Sequence, residues 1–121
     1  MIIAKKARFD AAHYIPNYPG PCSQLHGHSW EVEVAIEGEV IEDTGMIVDF
    51  SKLSSWLEDE VISVFDHTYL NGKFDNPTAE TLALWIEAVF ASNYYLISAD
   101  IKLAWIKVWE TPTSMVMLKG R

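Results

Sequence analysis

From His26 to Glu37 the chain alternates: His26, His28, Trp30, Val32, Val34 and Ile36 share one parity, while Ser29, Glu31, Glu33 and Glu37 share the other. A strand sends successive side chains to opposite faces, so this pattern predicts a half-buried strand with a marked apolar face. Two imidazoles at i and i+2 then point the same way, and Gly27 between them adds no bulk on the opposite face. The preceding segment alternates too, with Ile3, Ala7, Phe9, Ala11 and His13 on one parity. A third imidazole can therefore reach the same face from a neighbouring strand.

Three histidines converging on an apolar sheet face suggest zinc. Neutral imidazole suits Zn²⁺, and three protein ligands leave the fourth tetrahedral position for water or substrate. An isolated histidine on an apolar face is usually a satisfied core residue. That reading weakens for His13, His26 and His28 together, because each would need its own buried polar partner.

At 121 residues the chain is expected to form one domain spanning 1–121. No stretch approaches the roughly 18 consecutive apolar residues of a membrane span, and no charged-then-apolar leader is visible, so a soluble cytoplasmic protein is expected. The single cysteine, Cys22, cannot form an internal disulfide, in keeping with a reducing compartment. A formal charge of −8 argues against nucleic acid or anionic membrane as the main partner. The few basic residues fall in or beside predicted strands, among them Lys5, Lys6, Arg8, Lys102, Lys107 and Lys119. They offer either a local positive funnel for a phosphorylated substrate or a solvated charged face.

Residues Ile2 to His13 read as the first strand, followed by the turn-rich loop Tyr14–Pro21, and the second strand runs from about Leu25 to Glu37. Asp49 or Ser51 can cap a helix whose apolar residues Leu53, Trp56, Leu57, Val61, Val64 and Phe65 recur at helical spacing. That helix yields at Asp66–Gly72. A second helix begins near Asn76-Pro77-Thr78 and carries Leu82, Trp85, Ile86, Val89 and Phe90. Alternation resumes from Ile101, breaks at Pro112, and Ser114 to Lys119 gives a last strand. The order β-β-α-α-β-β predicts an α+β fold, a four-stranded antiparallel sheet with two helices on one face. Such a sheet leaves two edges and one face open, and Trp105, Trp109 and the second strand's apolar row are more hydrophobic than a solvated face requires. Self-association is the expected cover.

Outside the histidine trio, Asp66-His67 joins a carboxylate to an imidazole at a helix end, a pairing used in acid–base work but, taken alone, more often surface decoration. Cys22 lies four residues before His26. It is a candidate fourth zinc ligand, a nucleophile or base outside the metal, or an inert thiol. Glu110 is the one acidic residue on its strand and shares parity with Val108 and Ile106, where a ligand's N–H groups could satisfy it.

Taken in order, Phe9-Asp-Ala-Ala-His13, Cys22 three residues before His26-Gly27-His28, Gly45-Met-Ile-Val-Asp49-Phe50, Asp66-His67-Thr-Tyr-Leu-Asn71, Asn76-Pro-Thr-Ala-Glu80 and Val108-Trp-Glu110-Thr111 resemble the 6-pyruvoyltetrahydropterin synthase family over nearly the whole chain. The short spacing from Cys22 to the His-Gly-His looks like its 6-carboxytetrahydropterin synthase branch, and Ser23-Gln24-Leu25 lacks the glutamate that would point to folate synthesis. Pro21 departs from the lysine often found before the cysteine.

The resemblance implies a tunnelling fold whose protomers join their sheets into barrels, as trimers that stack into hexamers with active sites at subunit interfaces. It implies Zn²⁺ on His13, His26 and His28, Cys22 as the proton-abstracting residue, Asp66 and His67 as a dyad supplied across a subunit boundary, and Glu110, helped by Thr111, as the pterin anchor. The implied reaction is a carbon–carbon lyase step within queuosine biosynthesis. It converts 7,8-dihydroneopterin triphosphate to 6-carboxy-5,6,7,8-tetrahydropterin, acetaldehyde and triphosphate. The alternatives are 6-pyruvoyltetrahydropterin formation and a non-enzymatic zinc-stabilised pterin-binding module with Cys22 as fourth ligand.

Overall fold

The computed structural model describes residues 1–121. Strand β1 (Ile2–His13) and strand β2 (His26–Gly38) form an antiparallel pair that sets Phe9 opposite Trp30, Ala11 opposite His28 and His13 opposite His26. Strand β4 (Ile101–Thr111) pairs with the other side of β2, and β5 (Ser114–Lys119) closes that end. These four strands follow the expected positions within a residue or two.

The sheet has five strands rather than four. Thr68–Tyr69 forms a short β3 that runs parallel to β1 against Ala11 and Ala12, giving the order β3-β1-β2-β4-β5 and a mixed sheet. Two residues cannot display an alternation, so the sequence showed only a helix giving way to a turn.

Asp49 caps α1 (Phe50–Leu57), its carboxylate accepting from the Ser51 N–H at 2.8 Å. The backbone stays helical through a π-turn at Glu58–Ile62 into α2 (Ser63–Phe65). The buried pairs Trp56-Leu57 and Val61-Ile62 are five residues apart. On a regular α-helix that spacing rotates side chains by roughly 140°. The wider π-turn keeps both pairs facing the sheet and leaves Glu58 and Asp59 in solvent. Helix α3 (Ala79–Asn93) starts at Thr78, whose hydroxyl accepts from the Thr81 N–H at 3.1 Å.

Both helical segments pack on one face of the sheet. Leu53, Trp56, Leu57, Val61, Phe65, Leu82, Ile86 and Phe90 join Phe9, Trp30, Val32, Val34, Ile36, Ile106 and Val108 in a single buried cluster of 21 residues. The apolar row of β2 is therefore covered from within the protomer, which corrects the expectation that it helps make the open face sticky. The open face is charged with aromatic patches. Trp105 donates its indole N–H to Glu33 at 2.6 Å, Lys6 sits 4.2 Å from the Trp109 ring, and Lys107 lies 3.6 Å from Glu33. No helix is long and apolar enough to cross a membrane.

Candidate metal centre and pterin site

Pairing of His13 with His26, and of Ala11 with His28, brings three imidazoles to the end of the sheet's helix-covered face. The ring centroids of His13 lie 4.6 Å from His26 and 5.1 Å from His28, and those of His26 and His28 lie 4.7 Å apart. One nitrogen from each ring falls within 4.8 Å of the others, the spread a single ion can draw together.

Two tautomers follow from the neighbours. Nδ1 of His13 is 2.7 Å from the Pro77 carbonyl oxygen, and Nδ1 of His26 is 2.6 Å from that of Gln24. A carbonyl only accepts, so each Nδ1 carries the proton and each Nε2 keeps its lone pair for a metal. Nε2 of His13 and of His28 are buried without a hydrogen-bond partner. Buried polar atoms are rarely left so, and a cation is the group that would satisfy these. Desolvation by burial holds the pKa of both His13 and His28 below the ordinary value of 6.5. Neutral imidazole, the ligating form, is thereby favoured. The residues present fit a metal ion.

Glu110 faces the same side. Its carboxylate oxygens stand 3.6 Å from Nε2 of His28 and 3.9 Å from Nε2 of His13. The acid thus borders the trio without belonging to it, as its parity with Val108 predicts. Glu110 and Thr111 line one cleft with Arg8, Ser29, Glu31 and Trp109, and the Thr111 hydroxyl lies 3.5 Å from that of Thr113.

Cys22 occupies a single 3₁₀ turn, Pro21–Ser23, and is a partly exposed free thiol. Its sulfur is not among the clustered ligand atoms. Within the protomer the closed four-ligand arrangement is therefore not formed.

Asp66 and His67 lie along the outer edge of β1, just before β3. Asp10 has the parity opposite to Ala11 and His13, and its backbone holds the pair at both ends. Its N–H donates to Asp66 Oδ1 at 3.0 Å, and its carbonyl accepts from the His67 N–H at 2.7 Å. His67 adopts φ 60°, a left-handed conformation uncommon for a residue with a side chain. Its Nδ1 lies 3.0 Å from Asp66 Oδ1 and its side chain is 80% exposed. The N–H of Asp10, more than any other group, holds the Asp66 carboxyl below its ordinary pKa. The dyad is well formed, and its side chains gather with the Asp10 carboxylate as a cluster separate from the histidine trio. The sequence reading did not single out Asp10 or Ser29, whose hydroxyl donates to Asp10 Oδ1 at 2.6 Å. It also missed the Pro77 and Gln24 carbonyls.

A family model described as 6-pyruvoyl tetrahydropterin synthase matches residues 2–121. The chain belongs to that family. A protein of Pyrococcus furiosus named dihydroneopterin monophosphate aldolase is 39% identical over 108 residues, 89% of this chain and 88% of its own length. A 6-carboxy-5,6,7,8-tetrahydropterin synthase of Synechocystis is 40% identical over 93 residues, 72% of each chain. The solved structure of Caenorhabditis elegans 6-pyruvoyl tetrahydropterin synthase superposes with a TM-score of 0.82 at 24% identity, covering 100% of this chain and 96% of that one. At that identity the likeness establishes the fold.

Proposed function

We propose that the protein is a zinc-dependent 6-carboxy-5,6,7,8-tetrahydropterin synthase that converts 7,8-dihydroneopterin triphosphate to 6-carboxytetrahydropterin, acetaldehyde and triphosphate. The observation that carries the reading is the trio itself. The Nε2 atoms of His13 and His28 lie buried and unpartnered beside the Glu110 carboxylate. The Synechocystis relative of that name supports the same reaction.

His13, His26 and His28 would hold the ion. Bound there, zinc supplies Lewis acidity toward the hydroxyls of the substrate side chain. Glu110 accepts hydrogen bonds from the amino and ring N–H groups of the pterin, aided by Thr111, and so sets the ring's orientation. Cys22 removes a proton from the side-chain carbon. His67, oriented by Asp66, returns and relays protons while triphosphate leaves and the carbon–carbon bond breaks.

The separation of trio and dyad into two clusters supports a site shared between protomers, with Cys22 of one chain facing Asp66 and His67 of the next. The outer edge of β1 is paired only at Ala11 and Ala12, and β5 has a free edge. Strand addition between copies would close such sheets into a barrel, as a trimer or a hexamer made from two. We read residues 1–121 as one domain and the protein as a cytoplasmic enzyme of queuosine biosynthesis.

A second reading is favoured by the Pyrococcus furiosus relative: aldol cleavage of dihydroneopterin monophosphate on the same metal and dyad. The two differ in where phosphate goes. A retro-aldol cleavage leaves the phosphate on the released two-carbon aldehyde, whereas the synthase frees the phosphate chain and yields acetaldehyde. Mass-spectrometric analysis of products from both substrates tests the proposal. Acetaldehyde with free triphosphate supports it, a phosphorylated aldehyde from the monophosphate replaces it with the aldolase, and a pyruvoyl pterin without acetaldehyde replaces it with 6-pyruvoyltetrahydropterin formation. Binding without turnover of either substrate leaves a zinc-stabilised pterin-binding module.

A further inference from the structure

Asn71 has no part in the chemistry above, yet its side chain makes two backbone contacts at the edge of the site. Its Oδ1 accepts from the Tyr14 N–H at 2.9 Å, and its Nδ2 donates to the Tyr14 carbonyl at 2.9 Å. A carboxamide carries one acceptor and one donor at nearly the spacing of a peptide group. Here it replaces a strand residue and carries the β1·β3 pairing two residues past Ala12, beyond the point where β3 ends at Tyr69. Tyr14 and Tyr69 stack alongside, with centroids 6.4 Å apart.

Tyr14 follows the candidate ligand His13 directly, and the next residue, Ile15, donates its N–H to the carbonyl of Cys22 at 2.7 Å. One short segment therefore receives Asn71 on one side and the Cys22 turn on the other. No side-chain hydrogen bond other than Ser23 to Gly20 at 2.7 Å ties down the Pro21–Ser23 turn itself. Ile15 thus ties the Cys22 turn to the segment that Asn71 clamps at Tyr14, while the contact of Gln24 with His26 anchors the turn's other end.

We infer that Asn71 is a positioning residue that fixes Cys22, through Tyr14-Ile15, relative to His13. This inference rests on the proposed proton-abstracting role of Cys22 only for its catalytic consequence. Aspartate at this place would offer two acceptors and oppose the Tyr14 carbonyl, and alanine would offer neither contact.

The test compares Asn71→Ala and Asn71→Asp with the parent in the zinc-loaded protein, using three readouts. Amide hydrogen exchange at Tyr14 and Ile15 is expected to quicken by at least about tenfold, while Val32 and Val34 in β2 keep the parent rate. Alkylation of Cys22 by iodoacetamide is expected to quicken severalfold. Turnover is expected to fall on the order of 10²-fold with KM little changed, the scale of a displacement near 1 Å. Faster exchange at Tyr14 with Ile15 and Cys22 unaltered overturns the inference, because the clamp then ends at the strand. A uniform rise across β2 also overturns it and makes Asn71 a stability residue. If exchange and alkylation respond while turnover holds, the strut stands and the role given to Cys22 is what fails.

Discussion

The Nδ1 atom of His13 lies 2.7 Å from the carbonyl oxygen of Pro77, a residue 64 positions away that sits at the entrance to α3. This contact ties the histidine face of the sheet to the start of the helix that covers it, and it leaves Nε2 as the ring's buried, unpartnered nitrogen. The protein is expected to bind about one zinc per chain, with nitrogen ligands near 2.0–2.1 Å and no sulfur near 2.3 Å in X-ray absorption. His13→Ala or His28→Ala should leave metal content near zero, and Cys22→Ala should leave it unchanged. A sulfur in the metal shell, or zinc lost from the Cys22 variant, would turn the assignment to a closed structural site.

Glu110 borders the histidine trio whereas His67 clusters with Asp10 and Asp66, and the two should separate kinetically. A carboxylate that pairs with the pterin in both ground and transition states gives uniform binding, so Glu110→Gln is expected to raise KM by about tenfold or more with a smaller change in kcat. His67→Ala removes a proton carrier and is expected to lower kcat by about 10²–10⁴ at nearly constant KM. Metal analysis should show zinc retained in both. Loss of metal on changing His67 would mean that the exposed dyad had been misread.

Much of this site was legible because it rests on strand parity. Burial on one face of a sheet imposes a period of two, and His13, His26, His28 and Glu110 all declare their face by it. What escaped notice had no letter to carry it. The Pro77 and Gln24 carbonyls and the Asp10 N–H are backbone groups whose role appears only when distant segments meet. β3 is too short for a pattern, and the π-turn in the first helix shows only as a five-residue gap between buried pairs. The open face was misjudged for a different reason. Apolar residues on β2 reveal that a face is covered, and not whether a helix or another copy covers it.

Assembly has its own test. Because trio and dyad form separate clusters in one chain, a homo-oligomer is expected by light scattering. Cys22→Ala and His67→Ala, each inactive alone, should recover activity when co-assembled. Random mixing would restore roughly a quarter of the sites if each draws Cys22 from one chain and His67 from another. A fully active monomer, or no recovery from mixed oligomers, would return the whole site to a single chain.

Asp49 supplies a pH-dependent element at the first helix. The Ser51 N–H, bonded to its carboxylate at 2.8 Å, holds its pKa below the ordinary 3.8. A carboxylate depressed in the folded state contributes stability above its unfolded pKa and loses it as pH falls through the folded one. Asp49→Ala is therefore expected to lower Tm at neutral pH, and the gap from the parent should close as pH falls below about 4. A gap constant from neutral to acid pH would show that the loss is not in the charged cap.

Trp30 supports the trio from beneath. It is fully buried, stacks on Phe9 with centroids 5.9 Å apart, and meets the rings of His13 and His28 at 5.0 and 5.5 Å. Two effects should follow from its removal, and they can be told apart. Trp30→Ala opens a cavity in the core and is expected to cost about 3–5 kcal/mol in urea unfolding of the chelated protein. It also frees two imidazoles that were held edge-on, so zinc affinity should fall by about 10–100-fold, the scale seen when supports of metal ligands are removed. Trp30→Phe keeps an aromatic wall and should recover most of the affinity while still losing stability. Zinc titration of the folded variants decides the matter. If Trp30→Ala weakened folding but bound zinc as tightly as the parent, the Pro77 contact would suffice for His13, His28 would need no aromatic wall, and the indole would be only core.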